Sequence, residues 1–459
     1  MLKVSSFSNF LGYGDYADCY AEESSSLALR WEEGRIESIS RSEDAGVGLR
    51  YLNGVETRFG HTDLPSPVTG EWTSDHQSKL LLIRDRLVPG LAKAPVTPGG
   101  LPTLMAQRIV RSPETVPLKQ KIALLERAFK SANNGPHVRQ IGINYGEKIK
   151  TVCCLNAAGE ATLERRVYVV FSITVTVEHN KDMQTAYESL GGHIGFELFD
   201  GDRVNRIAAE VSKRDHLKLD APQAPVGEMP VVIAFSAGGT LIHEAIGHSL
   251  EADAVIEGTS PSYVGKIGTV VANEKLTVLD DPTVPHARGS FHYDDEGTPA
   301  ESTRLIENGV LKTYLYDRLS ARKAGCASNG HGRRESYAHR PIPRMSNTFV
   351  APGPDDPTEI LRSFQNGLLV TKMGGGQVNT ANGDFVFEVE EGFQVENGKR
   401  KMVRGATLLG NGPETLLLID KVGSDHGWAI GTCGKEGQGV PVSDALPTVH
   451  IKKLVVGGQ

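Results

Sequence analysis

PVVIAFSAGGTLIHEAIGHSLEAD, residues 230–253, is the stretch on which the rest of the chain is arranged. Pro230–Gly239 is a buried-strand candidate followed by a glycine turn, after which Thr240 can cap a helix that carries two histidines. His243 is followed by Glu244 and then by His248, as in zinc hydrolases, yet the histidines are one residue further apart than in the HExxH pattern. A helix advances ~100° per residue, so a four-residue spacing leaves two side chains about 40° apart and a five-residue spacing about 140°. A π-bulge, which absorbs one extra residue, or a local distortion eased by Gly247 would bring the two rings together. Such a helix supplies only two imidazoles. Glu251, which falls between them in projection, is one candidate for a third ligand. Glu244 also suits the first turn of a helix through the dipole alone, so the flanking sequence has to decide its role.

Outward from this segment, 459 residues at 39% hydrophobic and 23% charged leave room for two or three domains with sizeable cores. The start lacks a cationic segment followed by an apolar run, and no run approaches the ~20 apolar residues needed to cross a bilayer, so a cytoplasmic location without membrane association is expected. Cys19, Cys153, Cys154, Cys326 and Cys433 are odd in number and scattered, which suits free thiols or a ligand better than a disulfide framework. A formal net charge of −7 and the absence of a long Lys/Arg cluster argue against nucleic acid as a direct partner.

Leu27–Gly54 reads as hairpins, and the proline-rich stretch Val88–Pro102 reads as a linker. Leu118–Asn133 and Asp202–Leu219 have helical spacing, Arg166–Asn180 is a long β-branched run, and Asp220–Pro230 is a second linker. Downstream, β-prone segments with glycine turns dominate. The expected class is therefore α+β. An N-terminal α+β domain spans 1–90, a central α/β domain spans 103–219, and a large, mostly antiparallel β domain over 230–459 carries the metal-site helix.

HEAIGHSLEAD resembles the metal motif of the TldD/PmbA family, in particular its catalytic TldD-type members. The resemblance continues through DDEGTP (Asp294–Pro299), IENGVLKTYLYD (Ile306–Asp317), NGHGRRESYAHRPIPRMSNT (Asn329–Thr348), GGGQV (Gly374–Val378), VRGATL (Val403–Leu408) and GTCGKEGQGVPV (Gly431–Val442). It covers the C-terminal half and thins upstream, where GVGLRYLNG (Gly46–Gly54) looks like the family's first domain. The resemblance implies a zinc-dependent peptidase in which His243, His248 and Cys433 hold Zn2+ and Glu244 is the general base. It also implies peptides or unfolded segments as substrate and a TldE-like subunit as heterodimer partner, a homodimer being the other assembly. The family's older label, modulator of DNA gyrase, stands for a different class, a regulatory binding protein without peptidase activity. Arg333, Arg334, Tyr337 and His339 are open to two readings, as a salt-bridged loop or as groups that orient a carboxylate terminus or an oxyanion. DDEG reads as a turn and GGGQV as a backbone-exposing turn or substrate edge.

Overall fold

Residues 8–97, 99–379 and 381–458 are described in the computed structural model. Long runs of alternating burial form the first layer. Tyr16–Glu32, Arg35–Asn53 and Glu56–Asp63 make a meander, and Tyr16–Glu32 also pairs antiparallel with Val138–Asn156. That strand pairs with Ala161–His179, which is followed by Asp182–Gly192, giving one seven-stranded sheet with the short strand Leu104–Ala106 at its edge. The sheet thus runs across the proline-rich stretch of residues 88–102, whose two sides are joined by the ladder from Asp18↔Asn156 to Glu32↔Gly142.

The helices Leu118–Ala132 and Arg203–Leu219 coincide with the two periodic segments read in the sequence. Each buries one stripe: Leu124, Leu125, Ala128 and Ala132 on the first, Val204, Ala208 and Val211 on the second. These pack on Ile141, Ile143, Val169, Phe171 and Ile173 of the sheet. β-Branched and aromatic residues at alternate positions supply that face, as a half-buried strand requires.

Two further sheets build the C-terminal half. Five strands, Gly227–Ile233, Val449–Gly458, Ala406–Asn411, Asp384–Glu396 and Gly367–Asn379, pair in a ring that closes when the last returns to the first. The strand Gly227–Ile233 begins inside the second expected linker, which therefore ends earlier than its prolines suggest. The other sheet has six strands and ends on Gly427–Lys435, an edge strand paired only with Gln438–Leu446 among the described residues. The segment 240–250 packs between the two sheets, and one continuous core surrounds it. An edge strand leaves backbone groups unpaired and open to a partner.

Buried ions tie the first sheet to the C-terminal half. Arg166, on Ala161–His179, reaches Asp295 at 2.8 Å, Glu164 at 2.9 Å and the Tyr293 carbonyl at 2.7 Å. Arg50 bridges Asp18 at 2.5 Å and Glu296 at 2.6 Å. Breaking a buried pair strands its partner in a poor solvent for charge, at a cost of about 3–5 kcal/mol. Arg166→Met is expected to destabilise the protein by that amount, read as a shift of the denaturation midpoint. A shift worth less than about 1 kcal/mol would show that Arg166 does not hold the two halves together.

Candidate metal centre

The two histidines share a face because the helix between them is underwound. Thr240–Ile242 is a single α-helical turn, His243–Gly247 is π-helical with the His248 N–H donating to the His243 carbonyl, and His248–Leu250 is a 3-10 turn. The extra residue is absorbed there, and the imidazole centroids lie 5.2 Å apart with their planes perpendicular. Gly247 is needed for space and not for conformation: its φ of −53° is ordinary, but a Cβ would overlap the Met345 sulfur, and Met345 is fully buried. Gly247→Ala is therefore expected to cost about 1–3 kcal/mol, the usual penalty of overpacking, and to weaken metal binding. Thermal denaturation and zinc titration check this, and an unaltered melting temperature would contradict it.

Thr240 is not the cap. Gly239 occupies that position, and its N–H donates to Asp444 Oδ1 at 2.8 Å. Its backbone presses on Ala445, where any side chain would clash, so no capping residue fits.

Cys433 lies on the edge strand Gly427–Lys435 and comes to 3.5 Å from His248 Nε2. One ligand atom from each of His243, His248 and Cys433 falls within 4.8 Å of the others. An edge of a tetrahedron with arms of ~2.05 and ~2.3 Å, the zinc–nitrogen and zinc–sulfur lengths, is about 3.6 Å, so the sulfur–nitrogen distance of 3.5 Å suits that ion. His243 Nδ1 is buried with no hydrogen-bond partner among the described residues. The charge state of the sulfur fits as well. Burial pushes the Cys433 thiol up, but His243 and His248 outweigh it and bring it down to about 5. Burial alone pushes Cys153 up to about 12, and it also raises Cys19 and Cys154. Cys433 is thus the buried cysteine prepared as a thiolate, the form that binds metal.

Glu251 is elsewhere. The chain leaves the helix at this residue, with φ −69° and ψ 122°, so the projection that put it between the histidines does not apply. Its carboxylate meets His248 on the other ring nitrogen, Nδ1, at 3.2 Å. Burial would raise its pKa, but Lys435 at 3.1 Å, His248 and Arg344 hold it down to about 2. An acceptor on Nδ1 fixes the ring so that Nε2 faces the sulfur, the usual service of an outer partner to a ligating histidine. Arg344, also buried, donates to the Cys433 carbonyl at 2.5 Å and lies 3.8 Å from Glu251, linking the strand to the helix. Sequence reading missed Arg344, Met345 and Lys435. All three lie in or beside the quoted motifs, but no periodicity or spacing distinguishes a buttress from its neighbours.

Glu244 lines an open cleft of about 470 Å3 together with His243, His248, Cys433, Gly376 and Gln377. Its Oε2 is 4.0 Å from His248 Nε2, and its side chain is 22% exposed, so it faces the cleft and not the core. The GGGQV residues lie on the strand Gly367–Asn379, and Gly376, Gln377 and Val378 line the cleft together with Thr432 and Gly434. DDEG is a turn in which Asp294 accepts from the N–H groups of Glu296 and Thr298.

The GRRESYAH residues are not at the trio. Tyr337 donates to Asp44 and Asp63, both at 2.8 Å, and His339 meets the Ser336 hydroxyl at 3.0 Å. Arg334 donates to the Asp295 carbonyl at 2.8 Å, and Arg333 donates to the carbonyls of Met345 and Pro441.

Family models for the PmbA/TldA metallopeptidase match three consecutive parts of the chain: domain 1 over residues 17–64, the central domain over 111–219 and the C-terminal domain over 226–458. The Haemophilus influenzae protein named metalloprotease TldD homolog is 35% identical over 97% of this chain and 93% of its own length. The chain belongs to the TldD/PmbA family. A TldD homolog of Saccharolobus solfataricus, named a zinc metalloprotease, is 35% identical over 62% of each chain. Among solved structures, TldE from Thermococcus kodakarensis has the same fold, with a TM-score of 0.74 at 17% identity, covering 99% of both chains. The curated relatives are named metalloproteases, and among the described residues of this TldD/PmbA chain no helix is long and apolar enough to cross a membrane.

Proposed function

We propose that the chain is a zinc-dependent peptidase acting on peptides or unfolded segments, as the catalytic TldD-like subunit of a TldD–TldE type complex. The observation that carries this reading is the convergence of His243, His248 and the low-pKa Cys433 beside Glu244 in an open cleft. The zinc named in the Saccharolobus relative supports the choice of ion. Ligation takes a thiolate and neutral imidazoles, so the trio gives up any imidazole protons when it binds. Zinc in such a site lowers the pKa of a bound water toward ~7 and polarises a carbonyl. The chain's own share is then clear. Glu244 takes the proton of the attacking water on a carboxylate oxygen and delivers it to the leaving amine. Glu251 holds His248 in orientation, and the strands on either side of the cleft position the peptide.

A TldE-like partner is supported by the TldE fold match, and a homodimer would serve the same end if it encloses the cleft. A cytoplasmic location accords with five cysteines, none of them in a disulfide. The deciding experiment is cleavage of an unstructured peptide with zinc, with chelator, and with or without a TldE-type subunit. Zinc-dependent cleavage that rises with the partner is expected. Equal activity of a verified monomer would reject the need for assembly. No cleavage under any condition would favour a regulatory binding protein of the gyrase-modulator type.

A further inference from the structure

Beside the cleft, across the edge strand Gly427–Lys435, lies a second pocket of about 180 Å3. Six cations line it: Lys148, Lys150, Arg166, Arg288, Arg333 and Arg334. Asp295 and Glu335 are the acids in its wall, and both are engaged, Asp295 with Arg166 of the same pocket and Glu335 with the Gly439 N–H at 2.6 Å. Lys150 is matched by Glu22 at 3.0 Å, and Arg166 by two carboxylates. Arg334 has Asp18 at 3.6 Å.

The remaining charges are unmatched. Arg333 is 2% exposed and donates only to two backbone carbonyls; Arg288 donates only to the Gly431 carbonyl and the Thr432 hydroxyl. Among the described residues no carboxylate lies within ion-pair distance of Arg288, Arg333 or Lys148. The Nε atoms of Arg288, Arg333 and Arg334 are all buried without a partner. Burial holds Arg288 and Arg333 below the usual arginine range. An isolated buried charge costs several kcal/mol, and a guanidinium fork matches a carboxylate in shape as well as sign. The pocket is smaller than the ~300 Å3 at which ligand pockets usually begin, room for one small anionic group.

Its position says whose group. Thr432 lines both this pocket and the cleft, and it precedes Cys433 on the strand. We propose that the pocket built by Lys148, Arg288 and Arg333 holds a carboxylate of the peptide substrate near the scissile bond, either its C-terminal carboxylate or an Asp or Glu side chain. This inference rests on the peptidase reading. It makes the enzyme selective for acidic groups at one subsite.

The test uses the zinc-loaded protein assembled with its TldE-type partner and two peptide pairs, one with a free or amidated C-terminus and one with an internal Glu or Gln. The carboxylate form of at least one pair is expected to be cleaved with kcat/KM at least about tenfold higher, mainly through KM, and the pair that shows it identifies the source. In Arg288→Gln and, separately, Lys148→Met, the ratio should fall toward one. Lys148 is half-buried and unpaired, so its variant covers the case in which the arginine variant does not fold. Equal rates within both pairs for the unaltered protein would overturn the pocket and leave the peptidase standing. So would an undiminished ratio in the folded variants. Absence of cleavage of all four peptides would sink the peptidase reading, and this proposal with it.

Discussion

Glu244→Gln is expected to lower kcat on an unstructured peptide by about 10²–10⁴-fold, the usual contribution of a positioned general base, while about one zinc per chain remains bound. The two readouts separate because Glu244 is next to the proposed metal trio without belonging to it. His243, His248 and Cys433 converge on one point, whereas the Glu244 carboxylate stays 4.0 Å from His248 Nε2 and turns toward the cleft. The amide has the same shape, so the π-helical turn that aligns the histidines keeps its packing. Kinetics with metal analysis on the same preparation check the expectation. Full activity would remove Glu244 from the chemistry. Zinc lost together with activity would make the carboxylate part of the metal's support.

How much of this was readable before folding differs from one residue to the next. The helices Leu118–Ala132 and Arg203–Leu219 were legible because each must bury a stripe with a 3.6-residue period, and that period is written in the order of residues. The five-residue spacing of His243 and His248 demanded a local underwinding, and a π-helical turn is what the chain adopts. Continuity of the first sheet was not legible, because pairing between Tyr16–Glu32 and Val138–Asn156 joins positions 110 to 138 apart, from Glu32↔Gly142 to Asp18↔Asn156, and prolines between them interrupt only local structure. Glu251 shows the same limit at the site. Its helical projection was sound geometry on a helix that ends one residue earlier, where the chain pairs with Leu315 instead. The basic pocket was legible only in part: the GRRESYAH motif offered Arg333 and Arg334 as groups that could orient a carboxylate, whereas Lys148 and Arg288 come from two other segments and look like ordinary surface charges until the fold brings them together.

Removing the sulfur should show which residue completes the metal shell. X-ray absorption on the zinc-loaded protein is expected to show two nitrogens at ~2.0–2.1 Å and one sulfur at ~2.3 Å, with the sulfur shell absent in Cys433→Ala. Zinc affinity in that variant should fall by more than about 100-fold, because loss of an outer partner alone costs 10–100-fold. The His243→Ala/His248→Ala double variant should retain its fold and hold no zinc. Glu251→Gln should behave as an outer partner: it keeps the sulfur shell and loses affinity within the 10–100-fold range, since the carboxylate meets His248 on Nδ1 while the sulfur meets Nε2. A wild-type spectrum without sulfur and with an additional oxygen, abolished by Glu251→Gln, would reverse the assignment and return the third ligand to Glu251. The structure argues against that reversal on two counts. Lys435 and Arg344 already hold the Glu251 carboxylate, and Arg344 at the same time holds the Cys433 carbonyl, so the contacts that keep Glu251 in place also keep the thiolate beside both imidazoles.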